Sequence, residues 1–98
     1  MNYPEVSNLE EVRGNIDRID RQIVALLAER QYFVKHAARF KNSTDDVKAP
    51  ARVEAVIVKV RNLSNESGLD PNIAEAIYRT MIDCFINNEL NEFQHKNK

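Results

Sequence analysis

Five charged side chains stand where ordinary helix surfaces do not explain them: Arg13, Arg30, Lys41, Arg52 and Glu89. Arg30 and Glu89 each interrupt a row of apolar residues. An ionised group buried without a partner costs on the order of several kcal/mol, so each needs a counter-charge or a polar ligand. The two satisfy that need if they pair with each other, or if Arg30 serves only to fix helix register. Lys41 closes the expected first helix, and Arg52 lies in the first turn of the second; a polar stretch separates them. Arg13 lies beside the apolar seam of the first helix. It is 17 residues from Arg30, about 25 Å along a straight helix, too far for one small ligand to touch both within one chain. In an antiparallel pair of chains, Arg13 of one reaches Arg30 of the other. Four cations with no metal-ligand set make a pocket for a small, doubly anionic molecule.

The remaining polar residues have plainer readings. Asp17, Arg18, Asp20 and Arg21 fall off the seam and pair along a solvated helix face. His36 and His95 are far apart with no second cysteine nearby, which argues against zinc. Cys84 reads as a small core residue, and Tyr32 and Tyr78 as amphipathic packing residues. A single cysteine makes no internal disulfide, which fits the cytoplasm. An apolar fraction of 43% with 30% charged residues suits a folded soluble protein rather than a disordered one. The net charge of −1 offers no basic excess for nucleic acid or an anionic membrane. Apolar runs are too short for a membrane span, and MNYPEVSNLEE has neither the basic nor the apolar region of a secretory signal.

Three helices must position these residues. Leu9, Val12, Ile16, Ile19, Ile23, Leu26, Phe33, Ala37 and Phe40 recur at steps of three and four, the seam of a long helix, broken at Arg30. Ser7-Asn8-Leu9-Glu10 matches a capping box, and the helix is expected to run to about Lys41. At about 32 residues it is roughly 48 Å long, whereas a compact domain of this size has a radius of gyration near 13 Å. The rest of the chain cannot wrap it, so a second copy is expected to do so. Residues 42–49 lose the periodicity and read as a loop. Pro50 then opens a second helix carrying Val53, Val56, Ile57, Val60 and Leu63 on one face and ending at Gly68. Asp70-Pro71 starts a third, with Ile73, Ile77, Met81 and Phe85 in a row that continues to Glu89 and Phe93. The expected fold is all-α, one domain over residues 1–98 with an ordered core of about 7–94.

The same residues carry a family resemblance. Leu9-x-x-Val12-Arg13-x-x-Ile16-Asp17-x-Ile19-Asp20, Leu26-Leu27-x-x-Arg30 and Lys41 come first in order. Ala49-Pro50-x-Arg52-Val53 and Ile77-Tyr78-x-x-Met81-Ile82 to Glu89 follow. Over nearly its whole length the chain resembles the all-α chorismate mutase family, including its isochorismate–pyruvate lyase branch. Each motif is weak alone, but the ordered set is strong. The resemblance implies an intertwined homodimer of three-helix chains with two shared sites for a small dicarboxylate. Arg13 would enter the partner's site, while Arg30, Lys41 and Arg52 belong to the home site. Arg13 and Arg30 would grip the two carboxylates, Lys41 would lie against a carboxylate and the breaking ether oxygen, and Arg52 would help close the loop. The reaction is pericyclic, so no nucleophile, cofactor or metal is implied.

Three positions depart from the family's habit. Glu89 stands where the family often has Gln, though some members carry Glu. Ionised, it would repel the ether oxygen; protonated, it can donate a hydrogen bond, so better activity is expected in mild acid. Val53 replaces the acidic residue that many mutases use for the ring hydroxyl, and Phe85 stands where some have a small polar residue. These substitutions, with the Ala-Pro-x-Arg-Val run, shift weight toward isochorismate. The first reading is a chorismate mutase, the second an isochorismate–pyruvate lyase. A reading from another class is a non-catalytic helical dimerisation module, in which Arg30→Ala would cost stability before it cost anything else.

Overall fold

The computed structural model describes residues 2–96, with side chains described through Gln94; the side chain of His95 therefore lies outside the described residues. The elements are α1 (Leu9–Ala37), a 3-10 turn (Ala38–Phe40), α2 (Thr44–Lys48), α3 (Pro50–Ser67) and α4 (Pro71–Lys96). No strand occurs among the described residues, so the all-α expectation holds. The chain divides between Phe33 and Val34 into two units.

The first unit is helical from Leu9 onward. Its cap lies one residue later than Ser7-x-x-Glu10 suggests: Asn8 Oδ1 accepts from the Glu11 N–H at 2.8 Å, and Glu11 Oε2 accepts from the Ser7 N–H at 2.9 Å. An Asn amide oxygen caps as well as a Ser hydroxyl, and Glu11 then occupies the position from which its carboxylate reaches back. A lone helix cannot bury its own seam. α1 has no buried residue, and Ile16, Ile23 and Leu26 keep 49%, 47% and 63% of their surface exposed.

In the second unit α1 stops earlier than expected. Its α-helical path ends at Ala37, and the 3-10 turn tightens the chain so that the Lys41 N–H donates to the Ala38 carbonyl at 3.2 Å. Such a turn satisfies carbonyls that a helix end leaves free. Lys41 itself is extended (φ −101°, ψ 134°), so it projects from a turn rather than from the helix.

Residues 42–49 are not an irregular loop. Ser43 Oγ accepts from the Asp46 N–H at 3.1 Å, and Asp46 Oδ2 accepts from the Asn42 N–H at 3.0 Å, which caps the short helix α2. The side chains that compete for backbone hydrogen bonds here start a helix instead of preventing one. Val47, only 2% exposed, pins α2 onto α4. Ala49 then ends α2 in the left-handed region (φ 37°, ψ 60°), its N–H donating to the Asp45 carbonyl at 2.9 Å.

The remaining boundaries follow the sequence. α3 ends at Gly68 (φ 80°), and Leu69 N–H donates to the Ser64 carbonyl; Asp70 Oδ1 caps α4 through the Asn72 N–H at 2.9 Å. The packed faces keep Ile57 and Val60 of the expected second-helix row and Glu89 of the third, and depart from the rows near the α3–α4 turn. Ile57, Val60, Ser64, Ala74 and Ile82 are buried, whereas Leu63, Ile73 and Ile77 are exposed. Small side chains at Ser64 and Ala74 let the two backbones approach, and Ser64 Oγ donates to the Val60 carbonyl at 2.8 Å, so its burial leaves no unmet donor. Cys84, expected in the core, is exposed instead.

A charged clamp fixes α3 against α4. Arg79 donates both terminal nitrogens to Glu54, at 3.1 and 3.0 Å, and Nε to Glu75 at 2.8 Å. Arg61 joins Glu75 at 2.8 Å and Asn72 at 3.1 Å. The hydrogen bonds from Arg79 are the main reason both Glu54 and Glu75 titrate below the usual carboxylate range.

Candidate active site

Glu89 is 4% exposed near the end of α4, the position at which the apolar row is broken. Its counter-charge is Lys41: Nζ donates to Glu89 Oε2 at 2.8 Å. The 3-10 turn makes this possible, because it carries Lys41 off the helical path of α1. The pair joins residues 48 apart in sequence. A low local dielectric strengthens it, and removing either partner would strand the other.

The pair forms part of the wall of a cavity of about 440 Å³. Lys35, Ala38, Arg39 and Asn42 approach from the end of α1 and the turn, Val47 from α2, and Glu92 and Phe93 from the next turn of α4. Lys35 lies 3.6 Å from Glu92, while Arg39 has no counter-ion among the described residues.

Arg52 and Val53 lie in the first turn of α3, Arg52 exposed and Val53 half-buried, and Phe85 is half-buried one turn before Glu89 on α4. None of the three lines this cavity. Arg13 and Arg30 belong to the unit before Val34, where Arg13 is exposed and Arg30 half-buried. Lys41 and Glu89 are thus the predicted residues that the second unit brings into direct contact. Among the described residues no three His, Cys, Asp or Glu side chains gather to hold a metal ion.

Lys35, Arg39 and Glu92 were not among the expected site residues. A signal for them exists: Glu92 and Phe93 lie three and four residues beyond Glu89, on the same helix face, and Lys35 and Arg39 are likewise four apart.

Residues 12–90 match the family model described as chorismate mutase type II. The chain belongs to this family. It is 36% identical over 91 residues to the isochorismate pyruvate lyase of Pseudomonas aeruginosa, an overlap of 92% of this chain and 90% of that protein. It is also 33% identical over 97 residues to the chorismate mutase of Methanocaldococcus jannaschii, covering 95% of this chain and 98% of that protein. The expected resemblance, made from Arg13, Arg30, Lys41, Arg52 and the third-helix row, is therefore shown, and both activities anticipated from it occur among its relatives.

Proposed function

We propose that this chain is a chorismate mutase, acting as a homodimer on chorismate and releasing prephenate. The observation that carries the reading is the Lys41–Glu89 pair, a cation and an acid held together by α4 and the turn after α1, in a chain of this family. The rearrangement breaks the ether C–O bond and forms a C–C bond in one step, without a nucleophile or net redox change. Catalysis then reduces to holding a compact conformer and stabilising negative charge as it develops on the ether oxygen.

Each cation has a place in that scheme. Arg30, with Arg13 from a second copy, grips the two carboxylates, since a guanidinium fork binds a carboxylate bidentately. Lys41 has three donors; one is held by Glu89 and two remain for a substrate carboxylate and the ether oxygen. Glu89, when protonated, donates a hydrogen bond to the same oxygen. Arg52 helps α2 close over the ligand, and Val53 and Phe85 contribute apolar walls. Residues 1–98 act as one domain, and the cytoplasm is its compartment, where Cys84 stays reduced. No described helix is long and apolar enough to cross a membrane.

A second reading is an isochorismate–pyruvate lyase. Val53, which cannot hold a ring hydroxyl as an acidic residue does, favours it, as does the 36% identity to the lyase from P. aeruginosa. Turnover of chorismate and of isochorismate, each measured separately at about pH 5 and about pH 7.5, decides. Faster formation of prephenate is the expected result. Faster release of salicylate and pyruvate makes the chain a lyase, and activity on neither leaves a helical dimerisation module.

A further inference from the structure

We infer that Asp46 is a positioning residue for Lys41: through the Asn42 N–H, its carboxylate fixes the backbone from which the Lys41 ammonium reaches Glu89. The inference rests on the part in the reaction proposed for Lys41. Asp46 itself touches no reacting atom in that scheme.

Lys41 needs such support. Its ammonium sits on a flexible four-carbon stem, and its backbone is extended between two turns, outside any helix (φ −101°, ψ 134°). Two hydrogen bonds do what a helical ladder would do elsewhere. On one side of its α-carbon the Lys41 N–H donates to the Ala38 carbonyl at 3.2 Å. On the other side the Asn42 N–H donates to Asp46 Oδ2 at 3.0 Å. Peptide planes being rigid, both soft dihedrals of Lys41 are thereby bounded. The first bond belongs to the 3-10 turn. The second comes from a side chain, and a carboxylate acceptor strengthens it.

Asp46 can hold Lys41 because it is itself held. Its N–H donates to Ser43 Oγ at 3.1 Å. The next residue, Val47, is buried and seats α2 on α4, the helix that carries Glu89. Acid and cation are thus referred to one helix: Glu89 directly, and Lys41 through Val47, α2 and the Asp46 carboxylate. Such precision matters, since displacing a reacting group by about 1 Å can cost on the order of 10²-fold in rate. Asp45 carries the same charge in the same helix, and its side chain has no partner among the described residues.

The test compares Asp46→Ala, Asp46→Asn and Asp45→Ala in the full-length protein. Asn keeps an oxygen acceptor for the Asn42 N–H and loses the charge. One readout is exchange of the Lys41 ammonium protons, followed by heteronuclear NMR. The other is kcat and KM on whichever of chorismate and isochorismate the wild type turns over faster. In Asp46→Ala, ammonium exchange should quicken about fivefold, the factor that one net hydrogen bond supplies. Its kcat should fall about tenfold, with KM moving less. Asp46→Asn should recover most of both losses, and Asp45→Ala should show neither. Asp46→Ala added to Lys41→Met with Glu89→Gln should cost nothing further in kcat, because the group it positions is gone. Unchanged exchange in Asp46→Ala, an equal loss in Asp46→Asn or Asp45→Ala, or a full further loss in the triple variant overturns the inference. A wild type that turns over neither substrate refutes the proposed function instead, and ammonium exchange alone then decides whether Asp46 holds Lys41.

Discussion

Lys41 and Glu89 hold each other in a setting where neither can be removed alone without cost. The Glu89 side chain is 5% exposed and that of Lys41 22%. Lys41→Met leaves the carboxylate of Glu89 buried and unpaired, and should destabilise the fold by about 3 kcal/mol, read as a lower urea midpoint. Adding Glu89→Gln removes the stranded charge, so the double variant should recover most of that stability. It should not recover turnover, because the cation proposed to face the ether oxygen is still missing; loss of one such donor costs on the order of 10²–10³ in kcat. Recovery of both would make the pair purely structural. A second expectation concerns Glu89→Gln alone: the amide can donate a hydrogen bond to the ether oxygen, so turnover should persist, and its loss would contradict a donor role at this position. The sequence shows that Glu89 needs a partner and offers Arg30 or a ligand for the part; the turn after α1 brings Lys41 into that place as the direct counter-ion.

Helix boundaries were legible where one residue decides the backbone, and illegible where two compete. Gly68, Asp70 and the two prolines each set a local conformation that no distant contact overrides, so the ends of α3 and the start of α4 followed directly. Asn42, Ser43 and Asp46 can equally well cap a helix or disorder one, and burial of Val47 tips the balance toward α2. The packed faces of α3 and α4 were legible at Ile57, Val60 and Glu89 but not beside the turn, where hydrophobicity favours Leu63 and Ile73 over Ser64 and Ala74, while close helix approach favours the smaller pair. The clamp around Arg79 gives this element pair an acid sensitivity. Glu54 and Glu75 titrate below their ordinary value of about 4.5 when folded, so their contribution is complete above that value and is lost as pH falls through the lowered one. Arg79→Met should therefore show a shallower loss of thermal midpoint than wild type between about pH 5 and pH 2. Equal slopes would show that the clamp does not couple to folding.

At the scale of the whole molecule the exposed seam of α1 supports the proposed homodimer, and Arg30 on the seam with Arg13 beside it says how to test it. Ile16, Ile23 and Leu26 expose apolar surface that a soluble helix does not leave in water when association can remove it. Ile23→Asp should dissociate the proposed homodimer in sedimentation and abolish turnover, although Ile23 has no assigned contact with substrate. Dissociation alone does not show that a site is shared between chains. Mixed variants do. Arg13→Ala and Arg30→Ala should each be inactive as pure dimers, because both sites of each lack one carboxylate grip. Refolded together in equal amounts, half of the dimers are mixed if pairing is random. In a mixed dimer one site receives Arg30 from the first chain and Arg13 from the second, and is intact; the other site lacks both. The mixture should therefore recover about a quarter of the wild-type activity, a consequence of two-fold symmetry with exchanged residues. If both arginines served the same chain's site, mixing would restore nothing. The recovery thus measures whether the length of α1, which no single copy can cover, places Arg13 in the site of its neighbour.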